Sequence, residues 1–254
     1  MSSVVVEAAA MSDIGLVRRV NQDTFAGDEG LGLFVVCDGM GGPAGGEVAS
    51  ALAAETFVSI FRQELSSVPG SSITATELAM ERAAAAANRA VVARAGYDTR
   101  YRGMGTTLVA ARLTGEQLTI LNVGDSRAYL LQKGHLRQVS VDHSYLREQV
   151  ELGLLTQEQA SLSPLQSVIT RAIGAETDVH PDLFAETVHP GDILLLASDG
   201  LTRELDDESI ARILRHAKGP QHACEQLIEQ AKESGGADNI TCYIIQVRET
   251  SASS

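Results

Sequence analysis

The sequence of 254 residues predicts an α+β fold in which stacked, mainly antiparallel sheets are covered by helices. Roughly nine short apolar runs resemble strands, and the helical segments fall into two pairs. The strands in the middle of the chain are joined by turns of three residues, at 114–116 and 124–126. Turns that short cannot hold a crossover helix, so the strands they join must be antiparallel. A regular alternation of strand and helix is not present.

The strands are predicted from apolar runs that end at glycine, aspartate or other turn residues. The first is short and lies close to the N-terminus, and the second is a continuous apolar run that ends at Cys37. The remaining strands occupy the middle and the C-terminal part of the chain. The predicted ranges are 4–8, 31–37, 106–113, 117–123, 127–132, 136–141, 183–188, 193–197 and 240–247.

The helices are predicted from apolar residues spaced three and four positions apart. The segment 69–76 contains Pro, Gly and Ser and is expected to be a loop between the first two helices. Asp206 or Asp207 should cap the third helix, because a short acidic side chain can accept hydrogen bonds from free backbone N–H groups. The predicted ranges are 46–66, 76–95, 206–216 and 221–233.

The composition excludes several classes of protein. The chain has 20 Lys and Arg residues against 33 Asp and Glu, which gives a net charge of −13 and argues against a nucleic-acid binder. Apolar residues make up 44% of the chain, yet no run reaches the ~20 residues that a membrane span needs. An integral membrane protein and a wholly disordered chain are therefore both disfavoured.

Three cysteines, Cys37, Cys224 and Cys242, are an odd number and show no C-x-x-C spacing. This pattern argues against a disulfide framework and against a zinc–thiolate site, and it fits a reducing compartment. The first 13 residues lack the cationic and apolar segments of a signal peptide. We therefore expect a cytoplasmic location.

Four aspartates stand where strongly apolar strands begin or end. Asp38 follows the run LFVVC, Asp125 follows LTILNVG, Asp199 follows ILLLAS, and Asp238 precedes ITCYIIQV. If the strand ends meet in space, unpaired carboxylates would repel one another and their pKa values would rise. A hard divalent cation such as Mg²⁺, Mn²⁺ or Ca²⁺ is the usual remedy, because all-oxygen ligands select such ions. The alternative is that each aspartate only closes a turn, since Asp-Gly is a common turn dipeptide.

Two ions held close together can lower the pKa of a bridging water from 15.7 toward ~7 and so provide hydroxide at neutral pH. The natural target is an electrophile that carries negative oxygens, since the same ions would neutralise those oxygens. Arg18 and Arg19 stand beside Asn21 and Asp23, and a planar guanidinium grips a phosphate with two hydrogen bonds. The alternative is that both arginines are ordinary surface charges.

Together, these residues resemble the metal-dependent Ser/Thr protein phosphatases of type 2C, in their compact bacterial form. The resemblance runs from about residue 11 to residue 247 and depends on ordered motifs, which are far more specific together than singly. The motifs are G-x-x-R-x-x-N-x-D at 15–23, D-G-M-G-G at 38–42, M-G-T-T at 104–107, G-D-S-R at 124–127, D-H at 142–143, T-R-A-I-G at 170–174, S-D-G-L at 198–201 and G-G-A-D-N-I-T at 235–241.

The resemblance implies a four-layer α-β-β-α sandwich of two antiparallel sheets flanked by antiparallel helix pairs. It implies one catalytic domain over residues 1–248, with a mobile flap at about 145–166 beside the active site. Residues 249–254 are small and polar and are expected to form a disordered tail. A monomer is expected, as is usual in the family, and the partners would be proteins phosphorylated on Ser or Thr.

The resemblance also implies two Mg²⁺ or Mn²⁺ ions at the sheet ends. Asp38 would bridge both ions, and the carbonyl of Gly39 would hold the second. Asp199 and Asp238 would hold the first ion. Asp125, together with Asp199, would match the third, weaker ion of bacterial members.

In the mechanism that the resemblance implies, a metal-bridging hydroxide attacks phosphorus directly and no phosphoenzyme forms. Arg18 would bind the substrate phosphate, and Asp23 would orient a metal-bound water. One position departs from the family, because the histidine that usually follows D-G-M-G-G is here Pro43. That histidine is the proposed acid for the leaving alkoxide, and losing a general acid typically costs ~10²–10⁴-fold. His143 could be suggested as a substitute, but a structural hydrogen-bonding role is preferred for it.

Two other functions compete with the phosphatase interpretation. Pro43 raises the alternative of a pseudophosphatase that binds phosphoproteins with little activity. The stretch from Gly39 to Ala44 also reads G-x-G-x-x-A, the pattern of a dinucleotide-binding oxidoreductase. The second alternative is disfavoured, because it needs a parallel strand after the helix and leaves Asp125, Asp199 and Asp238 unexplained.

Overall fold

The computed structural model describes residues 4–67 and 72–249, without the side chains of residues 43, 44 and 67. These residues form eleven strands and seven α-helices. The strands are β1 Val4–Asp13, β2 Asp23–Asp28, β3 Leu33–Met40, β4 Gly105–Thr106, β5 Leu108–Thr114, β6 Gln117–Val123, β7 Arg127–Gln132, β8 His135–Gln138, β9 Asp182–Thr187, β10 Ile193–Ala197 and β11 Ile240–Glu249. The helices are α1 Gly42–Ser67, α2 Ile73–Tyr97, α3 Tyr145–Glu151, α4 Gln157–Ser161, α5 Asp199–Thr202, α6 Asp207–His216 and α7 Pro220–Ser234.

The strands form two sheets, and every strand pair in both of them is antiparallel. The first sheet has the order β1-β11-β10-β7-β8, and the second has the order β2-β3-β5-β6-β9 with β4 added beside β3. The α+β class and the antiparallel sheets predicted from the sequence are therefore confirmed. The dinucleotide-binding alternative lacks its parallel strand, since β3 and β5, the strands on either side of α1 and α2, are antiparallel partners.

The side chains of alternate residues divide the core into three layers, as the period of two in a strand requires. On β3, Leu33, Val35 and Cys37 pack against α1 and α2, while the residues between them face the other sheet. On β11, Ile240 and Ile244 likewise contribute to the core under α6 and α7. The order of layers is therefore helix pair, sheet, sheet, helix pair, which is the predicted four-layer sandwich.

The observed helices and strands differ from the predicted ranges mainly at their ends. Asp206 is the cap of α6, and its side chain accepts a hydrogen bond from the Ser209 N–H at 2.8 Å. The predicted strand over 136–141 stops at residue 138, because Val139 and Ser140 both turn their N–H groups to the Ala128 carbonyl and break the ladder.

Two predicted irregular segments are shorter than expected. The loop predicted over 69–76 already gives way to α2 at Ile73, capped by Ser72, and residues 68–71 lie outside the described part of the chain. The predicted tail begins with Glu249, which instead ends β11 and pairs with Val4, while residues 250–254 are not described. None of the helices in the described ranges is both long enough and apolar enough to cross a membrane.

Candidate active site

The register of the two sheets brings the predicted acidic residues to one end of the sandwich. In the first sheet, Ala197 at the end of β10 pairs with Arg127 at the start of β7 and with Cys242 near the start of β11. Asp125, Asp199 and Asp238 lie just beyond these three strand ends. In the second sheet, Asp38 near the end of β3 pairs directly with Asp23 at the start of β2.

The pKa shifts identify which carboxylates interact electrostatically. Burial, followed by the charges of Asp23, Asp199 and Asp125, raises the pKa of Asp38 well above its ordinary value. Burial and then Asp199 raise the pKa of Asp125 to about 7. Burial likewise raises the pKa of Asp199, and the charge of Asp238 adds to this effect. The charges of the four aspartates singled out in the sequence therefore act on one another at one end of the sandwich, where they form an acidic cluster.

Asp23 supports the cluster from the buried side. Its Oδ2 accepts a hydrogen bond from the Ser198 hydroxyl at 2.7 Å, and the same hydroxyl oxygen accepts one from the Thr241 N–H at 3.0 Å. Burial raises the pKa of Asp23 to about 6, although the hydrogen bonds from Thr241 and Ser198 oppose this rise. Ser198 was not predicted as a site residue, yet it joins Asp23 of one sheet to Thr241 of the other.

Close backbone packing explains why glycine follows two of these aspartates. A Cβ on Gly39 would lie 2.1 Å from the Gly46 carbonyl oxygen and 2.5 Å from that of Gln22. A Cβ on Gly200 would lie 1.9 Å from the Asn239 carbonyl oxygen. No real side chain fits at such distances. The absent side chains let the segments that carry Asp38, Asp199 and Asp238 approach closely.

Asn239 is a second residue that the site prediction missed. It is buried, and its Oδ1 accepts a hydrogen bond from the Gln22 N–H at 2.8 Å. Its Nδ2 donates to the carbonyl oxygens of Ile14 at 3.0 Å and Val20 at 3.1 Å. The side chain next to Asp238 thus fixes both ends of the loop that carries Arg18. The signal available in the sequence was the D-N pair before β11.

Two arginines pair with the acidic cluster. Arg18 was predicted as a phosphate ligand, and its Nη2 donates to Asp238 Oδ2 at 2.7 Å. That hydrogen bond raises the pKa of Arg18, and the charges of Asp199 and Asp38 add to the effect. Arg203 was not predicted. Its Nη2 lies 2.5 Å from Asp199 Oδ2 and 3.4 Å from Asp125 Oδ2.

The oxygen donors of this cluster fit hard divalent cations. Asp23 Oδ1 and Asp199 Oδ1 are buried without a hydrogen-bond partner, which is costly for a carboxylate unless a cation balances it. Among the described residues, no three His, Cys, Asp or Glu side chains form a ready-made metal-binding group. Arg18 and Arg203 supply the nearby positive charge instead. The carboxylate oxygens are donors of the kind that Mg²⁺ and Mn²⁺ prefer. In this structure Asp238, Asp199 and Asp125 form ion pairs with Arg18 and Arg203.

His143 has the structural role that was preferred for it. It is buried, and its Nδ1 accepts a hydrogen bond from the Gly124 N–H at 3.2 Å. Its Nε2 lies 3.1 Å from Asp182 Oδ2 and 3.2 Å from Arg171 Nη1. The ring is therefore fully engaged in holding the turn before Asp125. The side chain of Pro43, the departure from the family motif, lies outside the described part of the site.

The fold and the site define a known family. A sequence profile of the family "Protein phosphatase 2C" matches residues 17–233. The chain belongs to this family, and the resemblance predicted from the motifs is confirmed.

Particular relatives agree with this assignment. The serine/threonine protein phosphatase PstP of Mycobacterium tuberculosis is 37% identical over 96% of this chain, and the match covers 46% of PstP. The chain thus spans about half the length of that relative. The serine/threonine phosphatase stp of Listeria welshimeri is 33% identical, with 95% of this chain and 96% of that protein covered. The catalytic domain of PstP, solved in complex with two manganese ions, has a TM-score of 0.84 at 34% identity, over 97% of this chain and all of that one.

Proposed function

We propose that this chain is a metal-dependent phosphatase that hydrolyses phosphoserine and phosphothreonine in proteins. The observation that carries the proposal is the acidic cluster at one end of the sandwich, in which Asp23 and Asp199 each keep a buried oxygen without a partner. The names of the similar proteins, serine/threonine phosphatases, support the same activity. We also expect phosphorylated proteins as partners, a monomer and a cytoplasmic location.

Two Mg²⁺ or Mn²⁺ ions would be held by Asp38, the Gly39 carbonyl, Asp199 and Asp238. The complex of the PstP catalytic domain with two manganese ions supports this number. When bound, such ions act as Lewis acids that make water a nucleophile at neutral pH and neutralise phosphate oxygens.

The residues of the chain would then bind and orient the substrate. Arg18 is half exposed and has one acceptor, so its guanidinium can exchange Asp238 for a substrate phosphate. Asp23 and Ser198 would hold the buried side of the cluster in a fixed orientation through their 2.7 Å hydrogen bond. The positive charge of Arg18 would stabilise the phosphate oxygens as negative charge develops on them.

The leaving alkoxide lacks an obvious proton donor. Proline at position 43 has no ionisable group, and both ring nitrogens of His143 already contact neighbouring groups. An aryl phosphate needs little protonation, because its leaving group is a weak base. We therefore expect the missing acid to slow aryl-phosphate hydrolysis less than phosphopeptide hydrolysis. Pro43→His should speed phosphopeptide turnover more than aryl-phosphate turnover.

The deciding experiment measures hydrolysis of p-nitrophenyl phosphate and of a phosphothreonine peptide with Mn²⁺. Asp38→Asn should lower kcat by more than ~10²-fold, the loss expected when one preorganised charge-stabilising group is removed. Asp28→Asn is the matched control. Asp28 ends the edge strand β2 and pairs with Arg62 of α1, outside the cluster. Its rates should equal those of the unaltered chain.

The same experiment tests the pseudophosphatase alternative that Pro43 raises. A folded chain that binds Mn²⁺ but hydrolyses neither substrate would favour the binding function. Equal activity of Asp38→Asn and the unaltered chain would reject the proposed site altogether.

A further inference from the structure

Arg203 occupies a distinctive place beside the acidic cluster. It follows the four-residue helix α5, one helical turn after Asp199, and its Nη2 lies 2.5 Å from Asp199 Oδ2. The same nitrogen lies 3.4 Å from Asp125 Oδ2 and donates to the Gln166 carbonyl oxygen at 3.3 Å. One guanidinium nitrogen is thus shared by two carboxylates and a backbone oxygen from three separate segments.

These two carboxylates are the pair that the family resemblance associates with a third, weaker metal ion. A guanidinium stays protonated at any physiological pH, so its charge is always present between them. A divalent ion at Asp125 and Asp199 would have to displace that charge or lie directly against it. Both arrangements cost free energy, since like charges repel strongly where water is partly excluded.

The surroundings hold Arg203 in this position. Only 31% of its side chain is exposed, and the side chains of Asp125 and Asp199 are 10% and 14% exposed. Asp125 lies in the turn whose Gly124 is bonded to His143, so its backbone is fixed on the far side of the pair. The cation and both anions therefore belong to parts of the fold that cannot easily move apart.

We propose that Arg203 supplies the positive charge of the Asp125–Asp199 pair in place of a third metal ion. The two-ion centre assumed here is that of the proposed function, so the inference rests on it. Arg203 acts as a positioning residue, because its contact with the centre is through the ligand Asp199 and not through the substrate phosphate.

The experiment is a Mn²⁺ titration of the full chain by isothermal calorimetry, with no substrate present. The unaltered chain should bind two ions, and Arg203→Gln should bind one more. Arg203→Lys, which keeps the charge, should stay at two. Arg147→Gln is the matched control, because Arg147 pairs with Glu151 over the same spacing of four residues, away from the cluster. It should also stay at two.

A pair of Asp125 variants tests the location of the added ion. Asp125→Asn alone should leave the count at two, because no ion uses Asp125 in the unaltered chain. In the Arg203→Gln background it should return the count from three to two. The test of Asp125→Asn alone does not require that the Arg203→Gln variant folds.

Three bound ions on the unaltered chain would overturn the inference, and so would a count of two on folded Arg203→Gln. A lower Mn²⁺ count or affinity for Asp125→Asn alone would overturn it as well. Failure of the unaltered chain to bind any Mn²⁺ would instead reject the metal centre of the proposed function, and this inference with it.

Discussion

The two arginines on the acidic cluster differ in how firmly they are held. Arg18 lies on the loop between β1 and β2, has one carboxylate acceptor and is 52% exposed. Arg203 follows the first turn of α5, has three acceptors and is 31% exposed. An exposed ion pair contributes ~0–1 kcal/mol, so Arg18 gives up its partner at little cost. Moving Arg203 away would leave the two poorly hydrated carboxylates of Asp125 and Asp199 without a counter-charge.

This difference separates two uses of the same side chain. A cation that is weakly held can exchange a protein carboxylate for a substrate phosphate. A cation that is shared by several buried acceptors fixes the charge balance of the site and does not exchange. The contrast can be tested at Arg18, at the loop that carries it and at the charge balance near Arg203.

The largest effect is expected at Arg18. Arg18→Ala should lower kcat/KM for p-nitrophenyl phosphate by ~10–100-fold, because a hydrogen bond to a charged group is worth about 1.5–3 kcal/mol. Most of the loss should appear as a higher KM. Arg18→Lys should recover part of it, since the charge remains while the planar two-bond geometry is lost. Unchanged kinetics in Arg18→Ala would show that this arginine does not exchange partners.

A smaller effect is expected at Asn239, which fixes the loop of Arg18. Asn239→Ala removes three hydrogen bonds and leaves buried backbone groups unpaired, so the free energy of unfolding should fall by about 2–4 kcal/mol. Urea denaturation measures this change, and KM should rise because Arg18 loses its support.

The matched comparison is Asn122→Ala, on the Asp125 side of the cluster. Asn122 is also buried, and its Nδ2 donates to the carbonyl oxygens of Gly124 and Val141. Its loss should reduce stability by less and should not raise KM. A rise in KM of equal size in both variants would contradict the division between the two sides.

The smallest effect is the pH dependence of the metal-free protein. The pKa of Asp23 is raised to about 6 and that of Asp125 to about 7, both from 3.8. At these two groups the folded state therefore binds more protons than the unfolded state between pH ~4 and ~7, so the stability that they contribute is fully present below that window and is lost as pH rises through it. In chelator, the Tm should fall by a few degrees across this range.

Variants at Asp38 and at Arg203 should change the slope of Tm against pH in opposite directions. Asp38→Asn should make the fall shallower, because it removes a carboxyl whose own pKa is raised well above its ordinary value. Arg203→Gln should make it steeper, because the guanidinium lowers the pKa values of both Asp125 and Asp199. A Tm that rises with pH in chelator would contradict the raised pKa values.

Locally encoded features were predicted well. Strands β6, β7 and β10 have the predicted bounds, because each is an apolar run closed by turn residues. The strand β2 was missed, since it is an edge strand that contains Asp23, Gly27 and Asp28 and shows no clear alternation of apolar residues. The helix α5 was missed because four residues are too few for a helical period to appear.

The sequence by itself determined that four carboxylates stand at the ends of apolar strands, and its ordered motifs determined the family. Only the tertiary structure decided which cation each carboxylate meets. Arg18 reaches Asp238 across 220 positions of the chain, and Arg203 reaches back 78 positions to Asp125. Such pairs depend on which strands are neighbours in a sheet and in which register they pair. No local pattern of residues specifies that geometry, because it arises from burying both faces of each sheet at once.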